Sequence, residues 1–303
     1  PAVCTCASVR EREWSVLVLT APVARSERHA NTASPSRYRD LVSMDLALAS
    51  VPNFRDAGGL STRDGARVRT GLLYRSVALD AVTDADLQAL AELGIRTVFD
   101  LRTAMEQERK PDRLPQGARH LSVDLLADSG EADPAELFAL MQDPVRASAE
   151  LRDGGTHRFY VATYHDLVRL PSARAGYGRF LHTLADPDAR PALVHCTTGK
   201  DRTGWAVALL LLFLGVPVAD VMDEYLLSDS EVRSAFGHVV NDFVARGGER
   251  EVIEPLMSVK PAVLEAALTA LRHDYGSIEA YVSEGLGVDA PTQQMLRAAF
   301  LER

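Results

Sequence analysis

The feature that most constrains the fold of this chain is a short apolar run that passes through a glycine-containing loop into a long apolar segment. The run is Arg190-Pro-Ala-Leu-Val-His-Cys196, and the apolar segment extends from about Thr203 to Leu214. A buried strand followed by a buried helix is typical of α/β folds, in which helices pack on a parallel sheet. Because helix N-termini attract anions, this layout also predicts an anion-binding site.

Strands and helices are predicted to alternate from about residue 51 onward. Extended structure is expected over 68–76, 95–102 and 119–124, and helices over 84–93, 158–170 and 173–184. The first helix has Thr83 as its N-cap and Gly94 as its terminating residue. Residues 127–156 form a less regular stretch, and 219–303 are mainly helical with glycine-containing gaps. The sequence therefore predicts an α/β protein without internal repeats.

Composition excludes several classes of protein. Of the 303 residues, 47% are hydrophobic, which supplies a core for one large domain or two small ones. A formal charge of −9 argues against nucleic acid and anionic lipid surfaces as partners. The longest apolar run, Trp205 to Val218, is shorter than a membrane span of about 20 residues. No integral membrane segment is expected.

The three cysteines and the first residues bear on the cellular compartment. Cys4, Cys6 and Cys196 cannot form a disulfide scaffold for a chain of this length, so a reducing, cytoplasmic location is expected. Residues 10–23 only loosely resemble a signal peptide, which leaves secretion as the weaker alternative. Residues 1–43 show no sustained period and are expected to be a disordered leader or a misassigned start. Residues 44–303 are predicted to form a single catalytic domain.

The loop from His195 to Gly204 carries the chemistry. The loop amides and the helix dipole favour a thiolate, so Cys196 is predicted to be a nucleophile aimed at phosphorus. Arg202, which follows Cys196 after five intervening residues, offers a planar fork for two phosphoryl oxygens, and Thr203 is expected to donate to the sulfur as a leaving group. His195 is expected to order the loop. An inert buried cysteine and a rhodanese-type loop fit this pattern less well.

The remaining loop residues are assigned to substrate binding. The backbone amides of Thr197, Thr198 and Gly199 are predicted to cradle the phosphoryl group. Lys200 is interpreted as a second cation for substrates with extra phosphates, the alternative being a solvated side chain on the loop rim.

Three motifs carry a resemblance to a known family. His195-Cys-Thr-Thr-Gly-Lys-Asp-Arg-Thr-Gly-Trp205 resembles the signature loop of the bacterial tyrosine-specific protein phosphatases, in the branch related to a secreted mycobacterial phosphatase. Asn53-Phe-Arg-Asp-Ala-Gly-Gly59 and Val98-Phe-Asp-Leu-Arg102 are similar to its amino-terminal and middle motifs. The resemblance covers residues 45–303. It implies a mainly parallel central sheet flanked by helices, a helical lid, and activity on phosphoproteins or phosphoinositides.

Two aspartates compete for the role of general acid. Asp201 lies in the loop beside Arg202, and Asp100 ends a predicted strand, where the active sites of α/β proteins collect. Asp201 is slightly favoured. The structural alternatives are that Asp201 holds a loop N–H and that Asp100 pairs with Arg102 or Arg55. In the amino-terminal motif, Arg55 is expected to add positive potential at the pocket edge or Asp56 to brace the loop, if the motif is not simply a packing element.

Together these residues predict a cysteine-dependent phosphomonoester hydrolase that needs neither metal nor cofactor, and the resemblance implies that it is a protein-tyrosine phosphatase. The expected partner is a phosphorylated protein or a phosphoinositide, with broad specificity. Two alternatives stay open: an enzyme that prefers phosphoinositides, and a catalytically silent phosphate-binding module. The oligomeric state is left open.

Overall fold

The computed structural model describes residues 48–129 and 134–303, with a five-stranded sheet at its centre. The strands are β1 Arg55–Asp56, β3 Leu73–Ser76, β4 Thr97–Asp100, β5 Arg119–Ser122 and β6 Ala192–His195. Their order is β1-β3-β6-β4-β5, and only β1 is antiparallel to its neighbour. A separate antiparallel pair joins β2, Arg67–Val68, to β7, Leu301–Glu302. The predicted α/β class with a mainly parallel sheet is confirmed.

Helices flank the sheet. They are α1 Asp84–Glu92, α2 Ala104–Arg109, α3 Pro134–Met141, α4 Pro144–Leu151, α5 Gly155–Arg169, α6 Pro171–Ala185, α7 Asp201–Leu214, α8 Val218–Leu226, α9 Ser228–Ala245, α10 Arg250–Leu256, α11 Pro261–Tyr275, α12 Ile278–Ala280 and α13 Ala290–Phe300. Among these residues no helix combines the length and the hydropathy of a membrane span. The Thr83 hydroxyl caps α1 and Gly94 follows it with φ +70°, as predicted.

Alternate residues of the parallel strands pack on opposite faces of the sheet. Phe99 and Val194 belong to the large cluster that includes α5, α6, α7 and α11, whereas Val98 and Leu193 belong to a smaller cluster with α1. Both faces are therefore covered at β4 and β6, which explains why these two central strands are buried along their whole length. Trp205 on α7 is completely buried.

The expectation of a less regular stretch over 127–156 is partly wrong, because α3, α4 and the start of α5 lie within it. Ala147 of α4 packs with Phe243 of α9 and with Ile253 of α10 in a third, separate hydrophobic cluster. Helices α3, α4, α9 and α10 supply the residues of this third cluster. The apolar partners of α3 and α4 lie about a hundred residues away in the sequence, on α9 and α10. The local sequence pattern therefore gave little indication that α3 and α4 would form.

Candidate active site

The Cys196 loop, residues 196–202, connects the end of β6 to the start of α7. β6 lies at the centre of the sheet, between β3 and β4, where parallel α/β sheets bind ligands. Cys196 is a free thiol and is 2% exposed. Lys200 makes no side-chain cap at the start of α7, and no acceptor is found within the described residues for the N–H groups of 197–202. These unpaired amides are suited to bind an anion.

Arg202 lies in the first turn of α7, and Glu106 of α2 fixes its guanidinium. Nη1 and Nη2 donate to the two carboxylate oxygens at 2.6 and 2.8 Å, while Nη1 also reaches Leu101 O at 3.3 Å. Burial alone would raise the pKa of Glu106, but the charge and hydrogen bonds of Arg202 lower it to about 2. Within the described part of the chain no partner engages Nε of Arg202. The Nε side of the fork is thus available to a ligand.

Two threonines of the signature differ in their contacts. The Thr197 hydroxyl donates to Oε1 of Glu106, so the same carboxylate holds both the loop and its arginine. Oγ1 of Thr203 is buried, and the described residues provide no hydrogen-bond partner for it. The hydroxyl proton of Thr203 is therefore available for the predicted hydrogen bond to the sulfur of Cys196. That contact stays a prediction.

Gly199 is the point at which distant elements hold the loop. Its carbonyl oxygen accepts from Nδ2 of Asn53 at 3.0 Å and from Nη2 of Arg75 at 2.6 Å. Its φ is +66°, and a Cβ atom there would lie 2.2 Å from Ser76 O. Both the backbone conformation and the contact with β3 require glycine. The loop shape is therefore fixed from outside.

Arg75 is held in turn by a buried carboxylate. Its Nη1 donates to Oε1 and Oε2 of Glu224 on α8 at 3.0 and 2.8 Å, and Nε of Arg55 donates to the same Oε1 at 2.8 Å. Burial would raise the pKa of Glu224, but the charges of Arg55 and Arg75 lower it. A buried carboxylate between two arginines is a rigid support for the Gly199 contact.

In the amino-terminal motif, the direct contact with the loop that the structure shows is made by Asn53. Arg55 is bound to Glu224 and to Ser228, so its role at the pocket edge stays a prediction. Both carboxylate oxygens of Asp56 accept backbone N–H groups, from Gly58 at 2.7 Å and Gly71 at 2.5 Å. The hypothesis that Asp56 braces the loop is wrong, because both of its carboxylate oxygens are taken by the backbone of Gly58 and Gly71.

The two candidate acids lie in different environments. Asp100 has no exposed surface, and its oxygens accept from Nε and Nη2 of Arg102 at 2.8 and 2.7 Å. Burial would raise the pKa of Asp100, but hydrogen bonds from Arg102 and His120 hold it well below its usual range. The side chain of Asp201 is 19% exposed, and its Oδ1 accepts from Tyr164 OH at 3.1 Å. Asp201 is the more accessible carboxyl group.

Lys200 points into the protein. Its Nζ donates to Tyr160 OH at 2.6 Å, Leu256 O at 2.8 Å and Ser258 O at 3.1 Å, and lies 4.3 Å from the centre of the Tyr160 ring. The residue is 3% exposed, so the alternative of a solvated side chain on the loop rim is wrong. Burial lowers the pKa of this lysine. In this conformation the hydrogen bonds of the Lys200 ammonium link the Cys196 loop to the end of α10.

His195 precedes the loop, and a cluster of charged side chains lies close to it. His195 Nδ1 is 3.2 Å from Cys196 O, consistent with its expected role in ordering the loop. Asp100, Asp112 and His120 offer atoms close enough to one another to hold a metal ion. However, Nη2 of Arg102 lies 2.7 Å from Asp100 and 2.9 Å from Asp112, so a guanidinium already supplies the positive charge between them.

Sequence reasoning missed Glu106, Arg75, Glu224 and the loop contact of Asn53. Thr103 and Glu106 form a capping box, whose sequence pattern predicts a helix start but gives no sign of a second task for the carboxylate. Arg75 and Glu224 belong to elements far from the loop in sequence. Only the strand order, which sets β3 beside β6, brings Arg75 to Gly199.

Comparison with known proteins agrees with this geometry. The model of the tyrosine phosphatase family matches residues 46–302. A protein of Cupriavidus necator, provisionally assigned as a tyrosine-protein phosphatase, is 32% identical over 81% of this chain and 85% of its own length. The triple specificity protein phosphatase PtpB of Mycobacterium tuberculosis is 29% identical over 84% of this chain and all of its own. A tyrosine-protein phosphatase of Nostoc commune is 28% identical over 80% and 79%. The chain belongs to the tyrosine phosphatase family.

Proposed function

We propose that this tyrosine phosphatase works through a phosphocysteine intermediate formed on Cys196. The observation that carries the proposal is a free cysteine at the base of a loop whose amides lack acceptors within the described residues and whose arginine presents an open Nε. The sulfur attacks phosphorus as the bond to the leaving oxygen breaks. Arg202 and the amides of Thr197, Thr198 and Gly199 hold the phosphoryl oxygens, whose charge they stabilise.

The proton for the leaving oxygen comes from Asp201. Its partial exposure supports this role, whereas Asp100 is buried in a charged contact with Arg102 that keeps its carboxyl group ionised. Water then attacks phosphorus, gives its proton to Asp201 and releases the thiolate, which Thr203 stabilises by donating to the sulfur. Free phosphate and the starting enzyme result.

Phosphotyrosine in proteins is the proposed main substrate, with phosphoserine, phosphothreonine and phosphoinositides as further ones. The triple specificity of the mycobacterial relative supports this breadth. Use of Lys200 for a second phosphate requires its ammonium to leave three acceptors, so the preference for phosphoinositides is the weaker candidate. A reducing compartment is proposed because the mechanism needs Cys196 as a free thiol.

The test compares the parent enzyme with Cys196→Ser. Turnover of an aryl phosphate should fall by at least ~10⁴-fold, while binding of a phosphotyrosine peptide is retained, because only the nucleophile is removed. Vanadate should inhibit the parent. Residual turnover near the parental rate would refute the mechanism, and a parent without turnover would instead support the silent phosphate-binding module. A panel of phosphotyrosine, phosphoserine and phosphoinositide substrates then ranks the specificities.

A further inference from the structure

We propose that Tyr164, itself fixed by Tyr225, is a positioning residue that sets the orientation of the acid Asp201. Tyr164 lies on α5 and Tyr225 on α8, and both rings are buried. Tyr164 OH donates to Oδ1 of Asp201 at 3.1 Å, and the two phenol oxygens are 2.8 Å apart. The proposal rests on Asp201 being the general acid.

The number of protons fixes the direction of these hydrogen bonds. A phenol has one proton. Since Tyr164 gives its proton to Asp201, Tyr225 must donate to Tyr164. The chain Tyr225 to Tyr164 to Asp201 therefore has a single direction and ends on one carboxyl oxygen.

The ring of Tyr225 is also held by the helix that carries Asp201. A Cβ atom at Gly204 would lie 2.9 Å from two carbons of that ring, so the glycine of the signature allows the ring to pack directly on α7. The position of the Tyr225 hydroxyl is thus coupled to the first turn of α7. Gly204 thereby helps to fix the position of the Tyr225 ring.

The tyrosine contact leaves Oδ2 of Asp201 as the oxygen that carries the transferable proton. Lys200 Nζ is 3.5 Å from Oδ2, but its three protons are directed to Tyr160 OH, Leu256 O and Ser258 O at shorter distances. The ion-pair contact of Lys200 with Oδ2 is thus longer than these three hydrogen bonds, and Oδ2 passes its proton to the leaving oxygen as the P–O bond breaks and the P–S bond to Cys196 forms. Without Tyr164 the carboxyl group can rotate, and the proton is delivered less often.

The test measures kcat/KM for aryl and alkyl phosphates whose leaving groups span a wide range of pKa. A missing or misplaced acid lowers kcat/KM most for substrates with poor leaving groups. The dependence of the rate on leaving-group pKa therefore becomes steeper. The variants are Tyr164→Phe, Tyr225→Phe and Asp201→Asn. The control is Tyr281→Phe, a buried tyrosine whose hydroxyl donates to Val168 O at 3.2 Å.

We expect Tyr164→Phe to lose ~10-fold or more on an alkyl phosphate and less than ~3-fold on a good leaving group, in the same direction as Asp201→Asn. Tyr225→Phe should show a smaller effect of the same kind, and Tyr281→Phe none. Equal losses on all substrates for both active-site tyrosine variants would overturn the positioning role while leaving Asp201 as the acid. An unchanged dependence in Asp201→Asn would refute the acid assignment, and the present proposal with it. If Tyr164→Phe does not fold, Tyr225→Phe decides.

Discussion

The carboxylate of Glu106 both caps its own helix and binds the guanidinium of Arg202. Its Oε2 accepts the backbone N–H of Thr103 at 2.9 Å, which caps α2, and its two oxygens bind the fork of Arg202. A bidentate contact with a residue fixed in a capping box limits the rotation of the guanidinium. The arginine that we propose binds the phosphoryl group is therefore held in one orientation by Glu106.

The ionisation of Glu106 predicts a pH dependence of stability. Its pKa is about 2 in the folded protein against an ordinary value of 4.5, so its contribution is present in full above pH 4.5 and is lost as the pH falls toward 2. The stability difference between the parent and Glu106→Gln should shrink by about 2 kcal/mol between pH 7 and pH 3. Urea unfolding at both pH values measures it.

Glu108→Gln is the matched control, because Glu108 lies on the same helix and is exposed. Its stability difference from the parent should stay the same at both pH values. A Glu106→Gln difference that does not change with pH would show that the pair with Arg202 contributes little in solution.

At the scale of elements, the Cys196 loop depends on its contact with β3. Gly199 combines a positive φ with a close approach to Ser76 O, and its carbonyl oxygen accepts hydrogen bonds from Asn53 and Arg75. Gly65 has a φ of +86° but no atom within 4 Å of a Cβ placed there. The two glycines thus share the conformational requirement and differ in the contact.

This difference predicts the outcome of two alanine substitutions. Gly65→Ala should cost about 1 kcal/mol of stability through its positive φ and leave activity unchanged. Gly199→Ala should in addition push the loop away from β3 and reduce kcat/KM by ~10²-fold or more, since the amides proposed to bind the phosphoryl group move. Urea unfolding and an aryl phosphate assay measure both effects. Equal activity in the two variants would contradict a loop held by this contact.

The elements that the sequence predicts well are those with local signals. α1 has its cap and its terminal glycine, and α7 its apolar run, although α7 begins at Asp201 and not at Thr203. α3 and α4 were missed because their burial depends on α9 and α10. The site divides in the same way: Cys196 and Arg202 are close in sequence, whereas Glu106, Arg75 and Glu224 reach the loop only through the folded topology.

At the scale of the whole molecule, most of the positive charge near the Cys196 loop is already neutralised. The neighbouring cations are paired with buried or half-buried carboxylates: Arg202 with Glu106, Arg55 and Arg75 with Glu224, and Arg102 with Asp100. With a net charge of −9, little long-range attraction for polyanions is expected. In the proposed mechanism the attraction comes from the loop amides and the Nε of Arg202, which act at short range on a compact phosphoryl group.

The extent of the catalytic unit gives the last prediction. The family match begins at residue 46, and Leu48 and Val51 already belong to the hydrophobic cluster on the α1 side of the sheet. A chain that begins at Met44 should therefore keep kcat/KM within ~2-fold and its unfolding temperature within ~3 °C of the full chain. A chain that begins at Phe54 loses this apolar packing and the Asn53 contact with Gly199, so it should lose both stability and activity. Thermal unfolding and an aryl phosphate assay on the three chains measure this, and a large loss already in the chain from Met44 would show that residues 1–43 are needed by the catalytic domain.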